Sequence, residues 1–102
     1  MAAGLYATAT GANAVITVPA STTGRAVVLG PVAASYSGAS TNGRITYAST
    51  GITTLDLDID QAGARVLPSG FKGAPGQTVV ITLYSGGGAV VGKLNLLSYW
   101  YE

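Results

Sequence analysis

Apolar residues recur at every second position along most of this chain, and glycine, proline, asparagine and serine interrupt them at short intervals. A period of two is typical of β-strands, because successive side chains of a strand point to opposite faces, whereas a helix needs a period near 3.6. No segment shows a convincing helical pattern. Strands are predicted over residues 14–18, 26–36, 44–49, 53–59, 65–68, 78–84 and 89–99.

The connections between these segments contain turn-forming residues. Asn42-Gly43 separates two strand-like segments and is a specific hairpin signal, since a type I′ turn requires positive φ at both central residues. Pro31 lies inside the second segment and predicts a break, an edge or a bulge there, because proline cannot donate to a strand ladder. Short strands at regular spacings predict a single all-β domain, an antiparallel β-sandwich with a jelly roll as the favoured topology. An immunoglobulin-like sandwich would show the same periodicity.

The N-terminal segment contains small and polar side chains around Leu5 and Tyr6, with no turn signal that would fold it back. Residues 1–12 are therefore predicted to form an extended N-terminal arm, and residues 13–102 the sandwich domain. Such an arm is either a free tail or a strand added to the edge of a neighbouring sheet. Leu5 and Tyr6 are candidate interface residues.

Charged residues are scarce, at 9% of the chain against 48% hydrophobic residues, which favours a folded chain over a disordered one. The basic residues are isolated from one another, so no cluster could neutralise a series of phosphates, and nucleic-acid binding is disfavoured. They are Arg25, Arg44, Arg65, Lys72 and Lys93. Because a net charge of +1 provides little repulsion between copies, self-association or docking on a larger body is expected.

Neither a membrane span nor a secretory signal is apparent. The longest apolar stretch covers residues 26–34, contains Gly30 and Pro31, and is far shorter than the roughly 20 residues that a membrane helix requires. The N-terminus lacks a positive segment followed by an apolar one. We expect synthesis in the cytoplasm and no membrane partner.

The chain contains no histidine and no cysteine. These residues supply the commonest general base, reactive thiols and the nitrogen and sulfur ligands of metals, so most hydrolytic mechanisms lack their usual groups. We expect no enzymatic activity, no cofactor and no metal.

Three of the four acidic residues alternate with apolar residues in one predicted strand. Asp56, Asp58 and Asp60 would share one face of that strand, and a solvated acidic face explains the pattern without any function. An EF-hand is excluded, because Gln61 and Leu67 stand where a calcium loop needs glycine and a bidentate glutamate. An interfacial salt bridge to a basic partner is the favoured functional interpretation, above a glycosidase carboxylate pair. The three aspartates are therefore candidate interface residues.

The C-terminal segment has apolar or aromatic side chains on both faces of the predicted strand. One face would carry Leu94, Leu96 and Trp100, and the other Leu97, Tyr99 and Tyr101. Two interpretations stay open: a central strand covered on both faces, or a strand whose aromatic residues contact another subunit or a partner. Because Tyr and Trp are favoured interface anchors, Tyr99, Trp100 and Tyr101 are candidate interface residues.

Over nearly its whole length the chain resembles the small decoration or cement proteins of tailed-bacteriophage heads. The resemblance lies in residues 16–20 (ITVPA), 34–37 (ASYS), 43–46 (GRIT), 56–59 (DLDI), 67–68 (LP), 76–83 (GQTVVITL) and 91–95 (VGKLN). It implies a non-enzymatic, β-rich protein of the virion that lies on the capsid surface as a homo-oligomer, a trimer being favoured, and clamps neighbouring subunits of the major capsid protein.

A second hypothesis is a receptor-binding or glycan-binding module of a tail fibre or base plate. It would use loops rimmed by Tyr36, Tyr47, Tyr84 and Trp100, and it predicts a saturable response to sugars.

Overall fold

The computed structural model describes residues 4–38, 43–59 and 63–102. These residues contain ten β-strands and no helix, which confirms the predicted all-β class. The strands are β1 (Leu5–Thr10), β2 (Ala14–Val18), β3 (Val27–Leu29), β4 (Val32–Tyr36), β5 (Arg44–Ser49), β6 (Ile52–Asp58), β7 (Gly63–Leu67), β8 (Val79–Leu83), β9 (Val91–Leu96) and β10 (Tyr99–Tyr101). No helix in these residues is long and apolar enough to cross a membrane.

Two four-stranded antiparallel sheets form the body of the molecule. The first sheet has the order β1-β9-β4-β7 and the second the order β2-β8-β5-β6. Apart from β5 and β6, strands next to each other in the chain, such as β1 and β2 or β8 and β9, lie in different sheets. This order is that of a jelly roll, which confirms the predicted sandwich and its topology.

The core lies between the two sheets. Strands β2, β4 and β8 bury every second side chain, as the period of two predicts. Leu94 of the first sheet and Ile45 and Ile81 of the second are fully buried. Burial of an aliphatic side chain of this size stabilises a fold by about 1.5–3 kcal/mol, so core residues of this kind make a large contribution to stability.

Strand β1 replaces the predicted N-terminal arm. It pairs with β9 in an unbroken register from Leu5↔Leu96 to Thr10↔Val91. The prediction of an extended arm over residues 1–12 is therefore wrong for residues 5–10, and residues 1–3 lie outside the described ones. The reversal that the sequence analysis missed is at Gly11, whose φ of 63° suits glycine and whose N–H bonds the Val90 carbonyl.

Two predicted strands are each divided by a bend, and the two bends lie side by side. Strands β3 and β4 separate at Gly30 and Pro31, which confirms the predicted break, while β9 and β10 separate at residues 97–98. The Gly30 N–H donates a 2.8 Å hydrogen bond to the Ser98 carbonyl, and a Cβ on Gly30 would lie 2.6 Å from that oxygen. The predicted hairpin at Asn42-Gly43 is wrong, because β4 pairs with β7 and β9 in the first sheet whereas β5 pairs with β6 and β8 in the second. Asn42 itself lies outside the described residues.

Beyond this bend, β3 and β10 form a third, two-stranded sheet. Residues 70–73 lie along the other side of β3, where the Leu29 N–H bonds the Phe71 carbonyl and the Gly73 N–H bonds the Val27 carbonyl, each at 2.9 Å. The Phe71 ring packs nearly perpendicular to the Tyr47 ring of the second sheet, with ring centroids 5.3 Å apart. The third sheet therefore extends the strands of the first sheet, and the Phe71–Tyr47 ring contact packs it against the second.

Candidate interaction surfaces

The acidic strand β6 is an outer strand of the second sheet, and one of its aspartates forms an ion pair within the chain. Arg44 donates from Nε and Nη2 to the two carboxylate oxygens of Asp56, both at 2.8 Å. The guanidinium also lies over the Tyr84 ring, 4.6 Å from its centroid. These hydrogen bonds lower the pKa of Asp56 and raise the pKa of Arg44. Asp56 is thus already neutralised by its own chain.

The other two aspartates differ from Asp56. Asp58 is exposed, stands opposite Arg44 in the strand register, and forms no ion pair with any described residue. Asp60 lies outside the described residues. No group of three metal-ligating side chains is present among the residues described.

The apolar side of β6 is only partly covered. Leu57 is 39% exposed although it faces away from the aspartates, because β6 has a sheet neighbour on one side only. Ile59, just beyond the strand, is buried. The predicted separation into an acidic and an apolar face is observed, but burial of the apolar face is incomplete.

Strand β10 presents its aromatic residues to two different environments. Tyr99 and Tyr101 pack against the core, and their rings meet edge to face with centroids 6.0 Å apart. The Tyr101 hydroxyl donates a 2.9 Å hydrogen bond to the Pro19 carbonyl. Burial, with a smaller contribution from Tyr99, raises the pKa of Tyr101. These two tyrosines connect β10 to the body of the molecule.

Trp100 lies on the opposite side of β10, and its indole nitrogen donates a 2.7 Å hydrogen bond to the Glu102 carboxylate. Lys72 stands 4.0 Å from the other oxygen of the same carboxylate. Trp100 was predicted to share a face with Leu94 and Leu96, which are buried in the core. That prediction is wrong, because the bend at residues 97–98 interrupts the alternation between β9 and β10.

The outer face of the first sheet carries one row of uncharged residues across its four strands. Tyr6, Asn95, Ala33 and Val66 occupy consecutive register positions. Tyr6 is 59% exposed and Val66 65%, with the short Ala33 and the amide of Asn95 between them. Leu5, the neighbour of Tyr6, points inward and packs partly buried against the core. We call this row the β1–β7 row.

Two of the tyrosines assigned to a glycan-binding rim are core residues instead. Tyr36 and Tyr47 are 3% and 2% exposed, so they cannot contact a ligand. Tyr84 is half-buried beneath Arg44. The rim as predicted is therefore wrong, because period-two alternation places tyrosines on a face but does not say which face turns inward.

A groove that the sequence analysis did not identify lies beside Tyr101. It encloses about 430 Å³ and is lined by Pro19, Ala20, Ser21, Thr22, Thr23, Arg25 and Tyr101. Arg25 is exposed and forms no ion pair among the described residues. The loop is polar in sequence, but only folding brings it next to an aromatic ring more than 75 residues away.

No protein-family model and no curated protein matches the chain. Among solved structures, the chain is similar to a chain of the acidic stable capsid structure of Helicobacter pylori bacteriophage KHP30, with a TM-score of 0.52 and 17% identity over 99% of this chain and 89% of that one. It also resembles a de novo designed double-stranded β-helix, with a TM-score of 0.48 and 8% identity over 95% of this chain and all of the other. A CBM4 structure gives a TM-score of 0.45 and 13% identity over 97% and 84% of the two chains. These likenesses concern the fold alone.

Proposed function

We propose that this chain is a non-enzymatic structural protein of a bacteriophage particle, a decoration or cement protein that lies on the capsid surface and stabilises the head by binding major capsid subunits as a homo-oligomer. The observation that carries the proposal is the β1–β7 row, an uncharged and partly apolar surface on a fold shared with a chain of a phage capsid structure.

A surface of this kind suits a protein partner. Exposed apolar residues that cluster on one face mark interaction sites more often than scattered ones do. Tyr6 and Val66 offer apolar contact area at the two ends of the row, while Ala33 between them lets another surface approach the sheet closely. Leu97, which follows β9 in the chain, is a further exposed apolar residue, at 54%.

The scarcity of the commonest catalytic side chains supports a non-enzymatic role. The chain has no histidine or cysteine, and the carboxylate most closely engaged, Asp56, is held by Arg44 with a lowered pKa. A general acid would need the opposite shift. The trimer that the resemblance favours stays a prediction.

The proposal is tested on phage heads purified from a culture in which this chain is made. Intact heads are separated on a density gradient, and the copies of this chain per head are counted by quantitative mass spectrometry. We expect the chain at many copies per head, and heads that lack it to release their DNA at a lower temperature. Absence of the chain from purified heads would overturn the proposal.

A pair of variants locates the docking surface. Ala33→Glu introduces a carboxylate at the centre of the β1–β7 row, whereas Gln77→Glu introduces one on an exposed turn before β8. When added to heads depleted of the chain, Ala33→Glu should bind about 10-fold more weakly or worse, since desolvating an unpaired charge costs more than about 1.4 kcal/mol. Gln77→Glu should bind as the wild type does. Equal binding by both would place the contact elsewhere.

Glycan binding is the second candidate, and the groove beside Tyr101 is the observation that favours it. An aromatic ring, three hydroxyl side chains and an arginine are the groups that commonly contact sugars, and a groove of about 430 Å³ has room for one or two sugar rings. A glycan array with the wild type and Arg25→Ala tests it. Saturable binding to a defined glycan that Arg25→Ala abolishes would favour this candidate over the capsid protein.

A further inference from the structure

The charges of this chain are distributed unevenly over the two lateral sides of the sandwich. No charged residue precedes Arg25, so β1 and β2, the edge strands on one side, carry none. The edge strands on the other side are β6, with Asp56 and Asp58, and β7, with Arg65. One side of the molecule therefore lacks the charges with which edge strands usually avoid pairing with other chains.

Strand β1 also lacks the other common protections of an edge. It contains no proline, and its six residues pair with β9 without a register shift. By contrast, the β5–β6 pair has an irregularity between Tyr47 and Ser49. Proline, bulges and charge are the usual means of blocking an edge, and β1 has none of them.

The hydrogen-bond pattern shows which groups of β1 point away from the sheet. The Gly11 N–H bonds the Val90 carbonyl, and the Ser37 N–H bonds the Val91 carbonyl, so Val91 faces β4 while Val90 faces β1. Backbone groups alternate in direction along an antiparallel strand. The N–H and C=O groups of Tyr6, Thr8 and Thr10 therefore point outward from the free edge of the first sheet.

We propose that β1 is an interface between two copies of this chain, which pair antiparallel through their β1 edges about a two-fold axis at Thr8. In this register Thr8 stands opposite Thr8 and Tyr6 opposite Thr10, so outward-pointing backbone groups meet. The two first sheets then join into one continuous sheet of eight strands. Each copy supplies the same surface, as a two-fold interface requires.

A second copy fits this edge because a symmetric contact pairs the strand with an identical strand. Any charge on the strand would then lie close to the same charge on the other copy. Like charges directly opposite each other destabilise a strand pair. A self-paired β6 would bring aspartates near one another, whereas a self-paired β1 brings together only Thr, Ala, Leu and Tyr. The charge distribution therefore selects β1 over β6 for a symmetric contact.

This inference does not rest on the proposed capsid role, and it names the copy-to-copy contact of the homo-oligomer. Its test is the mass of the purified full chain in solution, measured by light scattering over a wide concentration range. We expect a monomer–dimer equilibrium. A monomer at every concentration, or a trimer, would overturn the two-fold contact.

The deciding variant is Thr8→Asp. Within one copy the new carboxylate stands opposite Lys93 on β9 and gains a favourable neighbour, but across the two-fold axis it faces its own copy. We expect a dissociation constant raised about 10-fold or more. Thr8→Ala removes the hydroxyl that bonds the Gly92 carbonyl, together with the γ-methyl group, but adds no charge. Val66→Asp places the charge on the β7 edge. Both variants should remain dimeric.

Amide hydrogen exchange supplies a second measurement that does not depend on a variant. On raising the concentration of the wild type, the amides of Tyr6, Thr8 and Thr10 should become protected, while that of Ala7, already bonded to β9, should not change. A dimer in which these three amides stay unprotected would place the contact elsewhere. A Thr8→Asp monomer that still binds heads would leave the capsid role intact.

Discussion

The Tyr36 hydroxyl donates a 2.7 Å hydrogen bond to the main-chain carbonyl of Tyr84 and accepts a 3.2 Å hydrogen bond from the Arg44 N–H. Tyr36 belongs to the first sheet, whereas Arg44 begins β5 and Tyr84 follows β8 in the second. One buried phenol thus ties the ends of two neighbouring strands to the opposite sheet. Gly86 allows this, because a Cβ there would lie 2.8 Å from the Tyr36 ring.

Removing this hydroxyl should weaken the connection between the sheets. Tyr36→Phe leaves the Arg44 N–H and the Tyr84 carbonyl without this partner, and we expect a free energy of unfolding lower by about 1–3 kcal/mol, measured by urea denaturation. Tyr6→Phe makes the same chemical change on an exposed side chain and should alter stability by less than about 0.5 kcal/mol. Equal stability of both variants would mean that the buried hydroxyl contributes nothing.

Tyr47→Phe should have the opposite effect. Its hydroxyl is buried and forms no hydrogen bond with any described residue. The phenylalanine variant removes a buried polar group without a partner, so we expect a free energy of unfolding higher by about 1 kcal/mol at neutral pH. A clear loss of stability would show that the hydroxyl has a partner in solution.

The same residue should affect stability at high pH. Burial raises the pKa of the Tyr47 phenol, while in the unfolded chain it ionises near pH 10. Because the unfolded chain loses this proton while the folded state keeps it, the free energy of unfolding does not depend on this ionisation below about pH 10 and falls as the pH rises above that value. Tyr47→Phe should lose less stability than the wild type between neutral and strongly alkaline pH. Parallel curves for the two proteins would contradict this prediction.

Gly30 is expected to tolerate no side chain. Its position against the Ser98 carbonyl lets the β3–β4 and β9–β10 bends approach each other, and an added Cβ would force them apart. We expect Gly30→Ala to lower the free energy of unfolding by about 1–3 kcal/mol. Gly88→Ala is the control, since no described atom lies within 4 Å of its added Cβ and its φ is not positive. The prediction fails if thermal melts show equal losses.

The Arg44–Asp56 pair should make stability depend on acid and salt. The pairing lowers the pKa of Asp56, so its stabilising contribution is present above the ordinary aspartate pKa of about 3.9 and is lost as the pH falls below it. The difference in stability between wild type and Asp56→Asn should therefore disappear in acid. It should also shrink in concentrated salt, since both side chains are nearly half exposed.

Asp58→Asn is the matched control for this measurement. Its carboxylate is on the same strand and forms no ion pair within the described part of the chain. The acid dependence of this variant should follow that of the wild type. If Asp56→Asn and Asp58→Asn gave the same curve, the acid dependence would come from the charge of β6 in general.

Several features could be predicted from short stretches of the sequence alone. The residues of β2 and β5 were predicted to the residue, and the break at Pro31 was predicted from the missing proline N–H. The wrong predictions needed distant contacts. Residues 5–10 became a strand because β9, more than 80 residues later, offered an edge. Trp100 turned away from the core because its strand bends where Gly30 meets Ser98.

By itself, the sequence determined the all-β class, the alternation within each strand and the scarcity of catalytic side chains, because these depend on neighbouring residues and on composition. Only the tertiary structure decided which strands became edges, that Tyr36 and Tyr47 are buried, and that the uncharged strands β1 and β2 lie on the same side. The physical reason is that a period of two assigns the side chains of a strand to two faces but does not determine which strands lie beside it. Pairing and burial are set by contacts between residues far apart in the chain.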